Sequence, residues 1–171
     1  MKEAKLTLAA TSTLLVMAMT LPTTASADKS GADLDSFQSV PALAAPGNGR
    51  FKAKVKRHAQ RIEYQLSYED LGSTVLQAHI HFGNPWENGG IVAFLCTNLG
   101  NEPAPDVPLC PEVEGLVEGT IEPEDVIGPG GDRGIQPGDF EVLLDAIDAG
   151  ATYVNVHTIA FPAGQIRSQI D

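Results

Sequence analysis

The chain has 171 residues, with 22 acidic and 11 basic side chains and a formal net charge of -11 at pH 7. This excess of negative charge would repel phosphate backbones and anionic headgroups, so nucleic acid and a lipid surface are excluded as favoured partners. The length suits one domain of ordinary size with a substantial core.

The first 27 residues have the pattern of an export signal. Two lysines precede an uncharged, mostly apolar run over residues 6–21, and Ala25-Ser26-Ala27 supplies the small residues of a cleavage site. A permanent membrane anchor is the alternative, but no stop-transfer cluster of charges follows the run. We therefore expect a signal peptide over residues 1–27 and a secreted or periplasmic mature chain that does not insert into the membrane after cleavage.

The two cysteines, Cys96 and Cys110, flank a loop rich in proline and asparagine. An even number of cysteines in an exported chain favours a disulfide, although two free thiols remain an alternative. A CxxC redox motif is absent, and a metal-binding pair would have closer spacing. We predict a disulfide that closes this loop.

The mature chain begins with residues 28–48, which are small, polar and proline-containing, and which predict a flexible lead-in. From residue 49 onward, apolar residues recur mostly at every second position, which is typical of half-buried strands. One segment, residues 89–98, is apolar at nearly every position and predicts a strand buried on both faces. The strands are expected within residues 51–58, 61–69, 73–83, 89–98, 115–121, 152–158 and 164–170.

One helix interrupts this pattern. Phe140, Leu143, Leu144 and Ile147 recur at helical spacing. Asp139 precedes them as a candidate N-cap and Gly150 follows as a candidate terminator. About seven strands and one short helix insert predict an all-β fold, an antiparallel β-sandwich over residues 49–171.

Three phrases in this pattern resemble a known family: "AHIHFG" at residues 78–83, "YVNVHTIAFPAG" at 153–164 and "GQIRSQI" at 164–170. With the "GTI" strand and the helix between them, they are similar to the CHRD domain, first described in chordin and found also in bacterial exported proteins. The resemblance spans nearly all of residues 49–171. It implies an immunoglobulin-like β-sandwich with a proposed distant similarity to copper/zinc superoxide dismutase. It implies no settled activity.

The sequence departs from the family pattern at three positions. Gln165 stands where the family commonly has Glu, Ser168 where it has Gly, and Ala163 is inserted before the glycine of the turn. A glutamate at position 165 would be an anionic partner for Arg167. Its loss puts in doubt any function that depends on such an ion pair.

Three of the four histidines are candidate metal ligands. Residues two apart on a strand share a face, so His79 and His81 point together, and His157 shares a face with Asn155 on a second strand. If the strands are neighbours, three imidazoles converge, a ligand set that suits Zn or Cu. A binuclear dismutase site is excluded, because it needs more histidines than this chain has.

Two alternatives use the same polar face. The histidines with Asn155, Arg167 and Gln169 could form a buried polar layer whose members hydrogen-bond to one another. The face could instead form a pocket for a carbohydrate or a protein partner. Trp86, the only tryptophan, could be an exposed binding residue or an anchor in the core.

These patterns favour a non-catalytic extracellular or periplasmic binding module whose partner, a protein or a glycan, the sequence does not name. We predict no catalytic residue, because no nucleophile–histidine–acid spacing is present. The competing prediction is a mononuclear Cu- or Zn-binding protein with His79, His81 and His157 as ligands. Otherwise no cofactor is expected.

Overall fold

A computed structural model describes residues 29–104, 106–131 and 133–171. The predicted signal peptide therefore lies outside the described residues. No helix in the described part of the chain is long and apolar enough to cross a membrane.

The described chain is all-β, as the sequence predicts, with eight strands and one short α-helix. The strands are β1 (Lys29–Asp35), β2 (Asn48–Lys56), β3 (Arg61–Glu69), β4 (Val75–Phe82), β5 (Gly90–Thr97), β6 (Gly115–Ile121), β7 (Thr152–Thr158) and β8 (Ile166–Gln169). The helix α1 (Phe140–Asp148) lies between β6 and β7. Gly150 follows it with a φ of 65°, the left-handed conformation that commonly ends helices.

Every strand pairs antiparallel with its neighbours in the order β5-β4-β7-β8-β1-β2-β3-β6. The sheet consists of two four-stranded halves that are joined by a single registered pair, Asp35 with Arg167. The halves face each other across one core, and the edge strands β5 and β6 come close together. The architecture is therefore a sandwich that nearly closes into a barrel.

The seven predicted strands lie where the alternation places them, because their apolar face fills this core. In β3, for example, Ile62, Tyr64, Leu66 and Tyr68 are buried, and the residues that alternate with them face outward. The Tyr64 hydroxyl crosses the core and donates to the Leu95 carbonyl at 2.7 Å, which links β3 in one half to β5 in the other.

The eighth strand, β1, corrects the expected lead-in. Residues 28–48 were predicted to be flexible, yet seven residues of this segment pair with β2 in continuous register. Only Ala32 and Leu34 of β1 are apolar and buried, so the strand has almost no hydrophobic alternation to reveal it. Its place is fixed by backbone pairing with β2 and with the chain's last residue, Asp171.

Candidate metal centre

The outer face of the half formed by β5, β4, β7 and β8 is polar but buried. The strands β4 and β7 are neighbours, and His79 lies opposite Asn155 in their register, while His81 lies opposite Tyr153. Side chains alternate along each strand, and Ile80 of β4 and Val154 of β7 point into the core. The histidines therefore lie on the opposite face of the sheet. His79 is 2% exposed and His81 is 7% exposed.

His79, His81 and His157 converge on one point, as the sequence predicts for neighbouring strands. One ring nitrogen from each lies within 4.8 Å of the others. The ring of His79 lies 5.0 Å from that of His157 and 5.5 Å from that of His81, between centroids. Phe94 of β5 packs edge-on against His79 at 4.4 Å and closes one side of the cluster.

Backbone carbonyls fix two of the three imidazoles. His81 Nδ1 lies 3.0 Å from the Gly89 carbonyl, and His157 Nδ1 lies 3.0 Å from the Pro162 carbonyl. Because a carbonyl oxygen can only accept, each Nδ1 carries the proton and each Nε2 presents a lone pair. Hydrogen bonding of Nδ1 to a carbonyl is the usual orientation of a histidine that binds metal through Nε2.

In each of the two loops that supply these carbonyls, a glycine allows the backbone to pack closely against neighbouring atoms. A Cβ at Gly89 would collide with the Phe82 carbonyl, so only glycine fits there. Tyr153 holds the same residue, since its hydroxyl accepts from the Gly89 amide at 3.0 Å. In the other loop, a Cβ at Gly164 would collide with the Asn155 side chain, and Gly164 also has a φ of 116°.

Burial keeps all three imidazoles neutral. It lowers the pKa of His79 to about 2 and that of His81 to about 4. The other two histidines lower the pKa of His79 further, whereas the Gly89 carbonyl partly opposes the shift at His81. Burial also lowers the pKa of His157, against the effect of the Pro162 carbonyl. Neutral imidazole is the form that binds metal.

Within the described residues, the nitrogens that face one another have no hydrogen-bond partner. These atoms are Nε2 of His81 and His157 and both ring nitrogens of His79. Two facing lone pairs cannot hydrogen-bond to each other, and leaving them buried costs about 1–3 kcal/mol for each group. A metal ion would satisfy one nitrogen of each imidazole at once.

The expected polar layer is assembled, but its members barely bond to one another. Asn155 donates to the Ala163 carbonyl at 3.3 Å and leaves its Oδ1 without a partner among the residues described. Arg167 reaches Gln169 at 3.5 Å, and Gln169 donates to the carbonyls of Gly83 and Gly150. The bonds therefore run mainly to backbone carbonyls of the surrounding loops.

Gln165 does not have the role that the family pattern suggests for this position. Its amide donates to the carbonyls of Pro46 and Leu71 at 2.8 and 2.7 Å, and its Oε1 accepts from Thr158 at 2.8 Å. A carboxylate could not donate to those carbonyls. The amide at this position therefore satisfies two backbone carbonyls.

The remaining predicted residues lie apart from the cluster. Cys96 and Cys110 form a disulfide, as the sequence predicts. Trp86 is 78% exposed, so of the two alternatives for this residue the exposed one is correct and the core anchor is wrong. His58 lies in a short helical turn between β2 and β3 and takes no part in the cluster. Phe94 was missed, because aromatic residues in strands are usually core residues. Strand alternation does place Tyr153 on the face of Asn155 and His157, but it predicts no role for the tyrosine.

The structure thus defines a class of protein: an all-β domain with a three-histidine cluster on its outer face, in which His79 and His81 are buried and His157 is half-buried. The comparison with protein families narrows the class. The CHRD domain family model matches residues 30–170, most of the chain, and the chain belongs to that family. The match begins in β1, within the expected lead-in. Searches of curated proteins and of solved structures find no match, so the similarity to superoxide dismutase remains a prediction.

Proposed function

We propose that this CHRD domain is an exported protein that binds one copper or zinc ion through His79, His81 and His157. The observation that carries the proposal is the set of facing, unpartnered imidazole nitrogens, two of which have their tautomer fixed by carbonyls. The disulfide supports export, because such bonds persist mainly in oxidising compartments.

The donor set fits a mononuclear site with an open position. Three neutral nitrogens are the protein share of many zinc sites and suit copper equally. Nitrogens bound at about 2.0–2.1 Å to one ion lie roughly 3.5 Å apart, closer than the limit of 4.8 Å in this cluster. Rotation of the rings would close this gap, and His79 is the one imidazole of the three that no carbonyl of the described residues orients.

Metal titration of the mature protein, made without a histidine tag and stripped with a chelator, tests this proposal. We expect one Cu or Zn ion per chain by elemental analysis, together with a rise in melting temperature. A ligand at 100 times its Kd stabilises the native state by about 2.7 kcal/mol. The double variant His79→Gln/His81→Gln should lose the ion and keep its circular dichroism spectrum.

His58→Gln is the matched control, because it removes the one histidine outside the cluster. It should bind metal as the parent protein does. Binding that is equal in the double variant, or that is lost only with His58→Gln, would contradict the proposal. The same holds if the parent protein retains no metal at any tested concentration, in which case the cluster is a structural polar layer.

A second candidate function is the non-catalytic binding module, to which membership of the CHRD family lends support. The specific observation that favours it is the pair of large apolar side chains exposed on two loops, Trp86 at 78% and Phe37 at 70%. The loops that carry them are tied together, because Asn88 donates to the Val40 carbonyl at 3.0 Å. The two functions can coexist, since they use different residues.

A further inference from the structure

The side chain of Arg167 is an unbalanced buried charge. It is 2% exposed, and no carboxylate in the described part of the chain lies within ion-pair distance of it. Its Nη2 donates to the Asn84 carbonyl at 3.1 Å, but its Nη1 has no acceptor among the described residues. Buried charges in proteins are normally paired, because desolvation costs several kcal/mol per ion.

The acids near Arg167 do not supply the missing charge. Asp35, its partner in the register of β1 and β8, accepts from the backbone and side-chain nitrogens of Gln38 at 3.1 and 2.9 Å. Glu87 accepts from the backbone and side-chain nitrogens of Asn84 at 3.1 and 3.2 Å, and it lies 3.5 Å from Arg133. The guanidinium instead lies over the ring of Tyr153, with 3.6 Å between Cζ and the ring centroid. A cation–π contact of this kind contributes about 0.5–2 kcal/mol, less than the cost of the buried charge.

Arg167 also lines a cavity of about 160 Å³, together with Gln38, Pro85, Trp86 and Gln169. Trp86 lies at this cavity with its side chain mostly in solvent and a φ of 68°. The left-handed conformation is uncommon for a bulky residue and costs on the order of 1–3 kcal/mol, and such strain clusters at functional sites. The loop thus holds a flat apolar surface beside a buried cation.

We propose that this cavity, which we name the Arg167 cavity, binds the carboxylate of an acidic sugar of the uronic acid class. The carboxylate pairs with the guanidinium of Arg167, a charge-assisted pairing that arginine favours. The apolar face of the pyranose ring packs on the indole of Trp86. The site uses no imidazole of the three-histidine cluster and does not depend on the proposed metal function.

Fluorescence of Trp86 tests the proposal directly, because this residue is the only tryptophan in the chain. Chelator-treated protein is titrated with glucuronate or galacturonate, and we expect a saturable change in emission. Glucose, galactose and the methyl ester of glucuronate keep the ring but lack the charge, and should produce a response at least tenfold weaker. Equal responses to the charged and uncharged sugars would overturn the proposal.

Protein variants provide a second test of the proposed sugar site. Arg167→Gln should abolish the response, with circular dichroism as the check on folding. If that variant does not fold, Trp86→Ala serves instead, since its side chain is exposed, and calorimetry should show a loss of glucuronate binding. Undiminished binding in a folded Arg167→Gln or in Trp86→Ala would refute the site. So would a response to short peptides with a free terminal carboxylate that uronic acids do not give.

Metal content measured on the same samples separates the two proposals. Arg167→Gln should lose the sugar and keep the ion, whereas the His79→Gln/His81→Gln variant should lose the ion and keep the sugar.

Discussion

At the scale of single residues, Tyr153 separates the two proposed sites. Its ring stacks nearly parallel on His81, with 4.8 Å between centroids, and also carries the guanidinium of Arg167. Its hydroxyl contacts the Gly89 backbone, whose carbonyl orients His81. The same residue therefore holds the histidine on β4 and the cation on β8, which lie on either side of β7.

The buried tyrosines also predict that the folded protein loses stability at high pH. Burial raises the pKa of Tyr64, of Tyr68 and of Tyr153 above the ordinary value of 10.0. The unfolded chain ionises near pH 10, whereas the native state keeps its protons, so the stability these phenols provide is complete below about pH 10 and is lost as the pH rises beyond it. Ultraviolet absorbance should therefore show less tyrosinate near pH 10 in the folded protein than in the unfolded chain, and more tyrosinate should appear at higher pH together with unfolding.

Protein in concentrated urea is the control for this titration and should ionise near the ordinary tyrosine pKa. A folded protein whose tyrosines titrate non-cooperatively at that same pH would show that their hydroxyls are not buried.

At the scale of elements, the segment after β7 shows how a turn can build a site. The carbonyls of Pro162 and Ala163 accept from His157 and Asn155, and Thr158 bonds to Gln165 across the turn. Ala163, identified from the sequence as an insertion, supplies one of these carbonyls. The turn thus acts as the outer support of β7, in addition to connecting it to β8.

The loop between β5 and β6 depends on the disulfide Cys96–Cys110, which closes a sequence separation of 14. A closed loop of that size raises the free energy of unfolding by about 3 kcal/mol in the chain-entropy model. The double variant Cys96→Ser/Cys110→Ser should therefore show a lower urea midpoint with its strands retained. Reduction of the parent protein should give the same decrease, and no decrease in either sample would contradict this assignment.

At the scale of the whole molecule, β1 joins the two halves of the sheet. It pairs with β2 along its length and meets β8 at Asp35 and Arg167. It also buries Leu34, whose loss alone would cost about 2–5 kcal/mol. Because small domains are stable by only about 5–15 kcal/mol, the fold depends on this short polar strand.

A chain that begins at Ser36 should consequently lack a cooperative thermal transition, whereas a chain that begins at Asp28 should retain one. Circular dichroism measures both. Equal melting temperatures would show that the halves hold together without β1. Tryptophan emission is unsuited to this experiment, since Trp86 is already exposed in the native state.

The strands β2 to β8, the helix and the disulfide could be predicted from the sequence, because each is specified by local information: alternation, helical spacing or cysteine context. The three-histidine cluster could be predicted as a conditional statement, since strand alternation fixes the face of His79, His81 and His157 but not which strands are neighbours. The family resemblance added the order of the motifs, and the family match supports it.

Three features were decided only by tertiary structure. The strand β1 forms because β2 and β8 offer backbone partners, and its own side chains barely signal it. The tautomers of His81 and His157 depend on carbonyls that distant loops bring to them. The unbalanced charge of Arg167 depends on which acids are near it, and Glu87 is bonded elsewhere. Local sequence determines which face a side chain occupies, while the partners on that face come from chain segments far away in sequence.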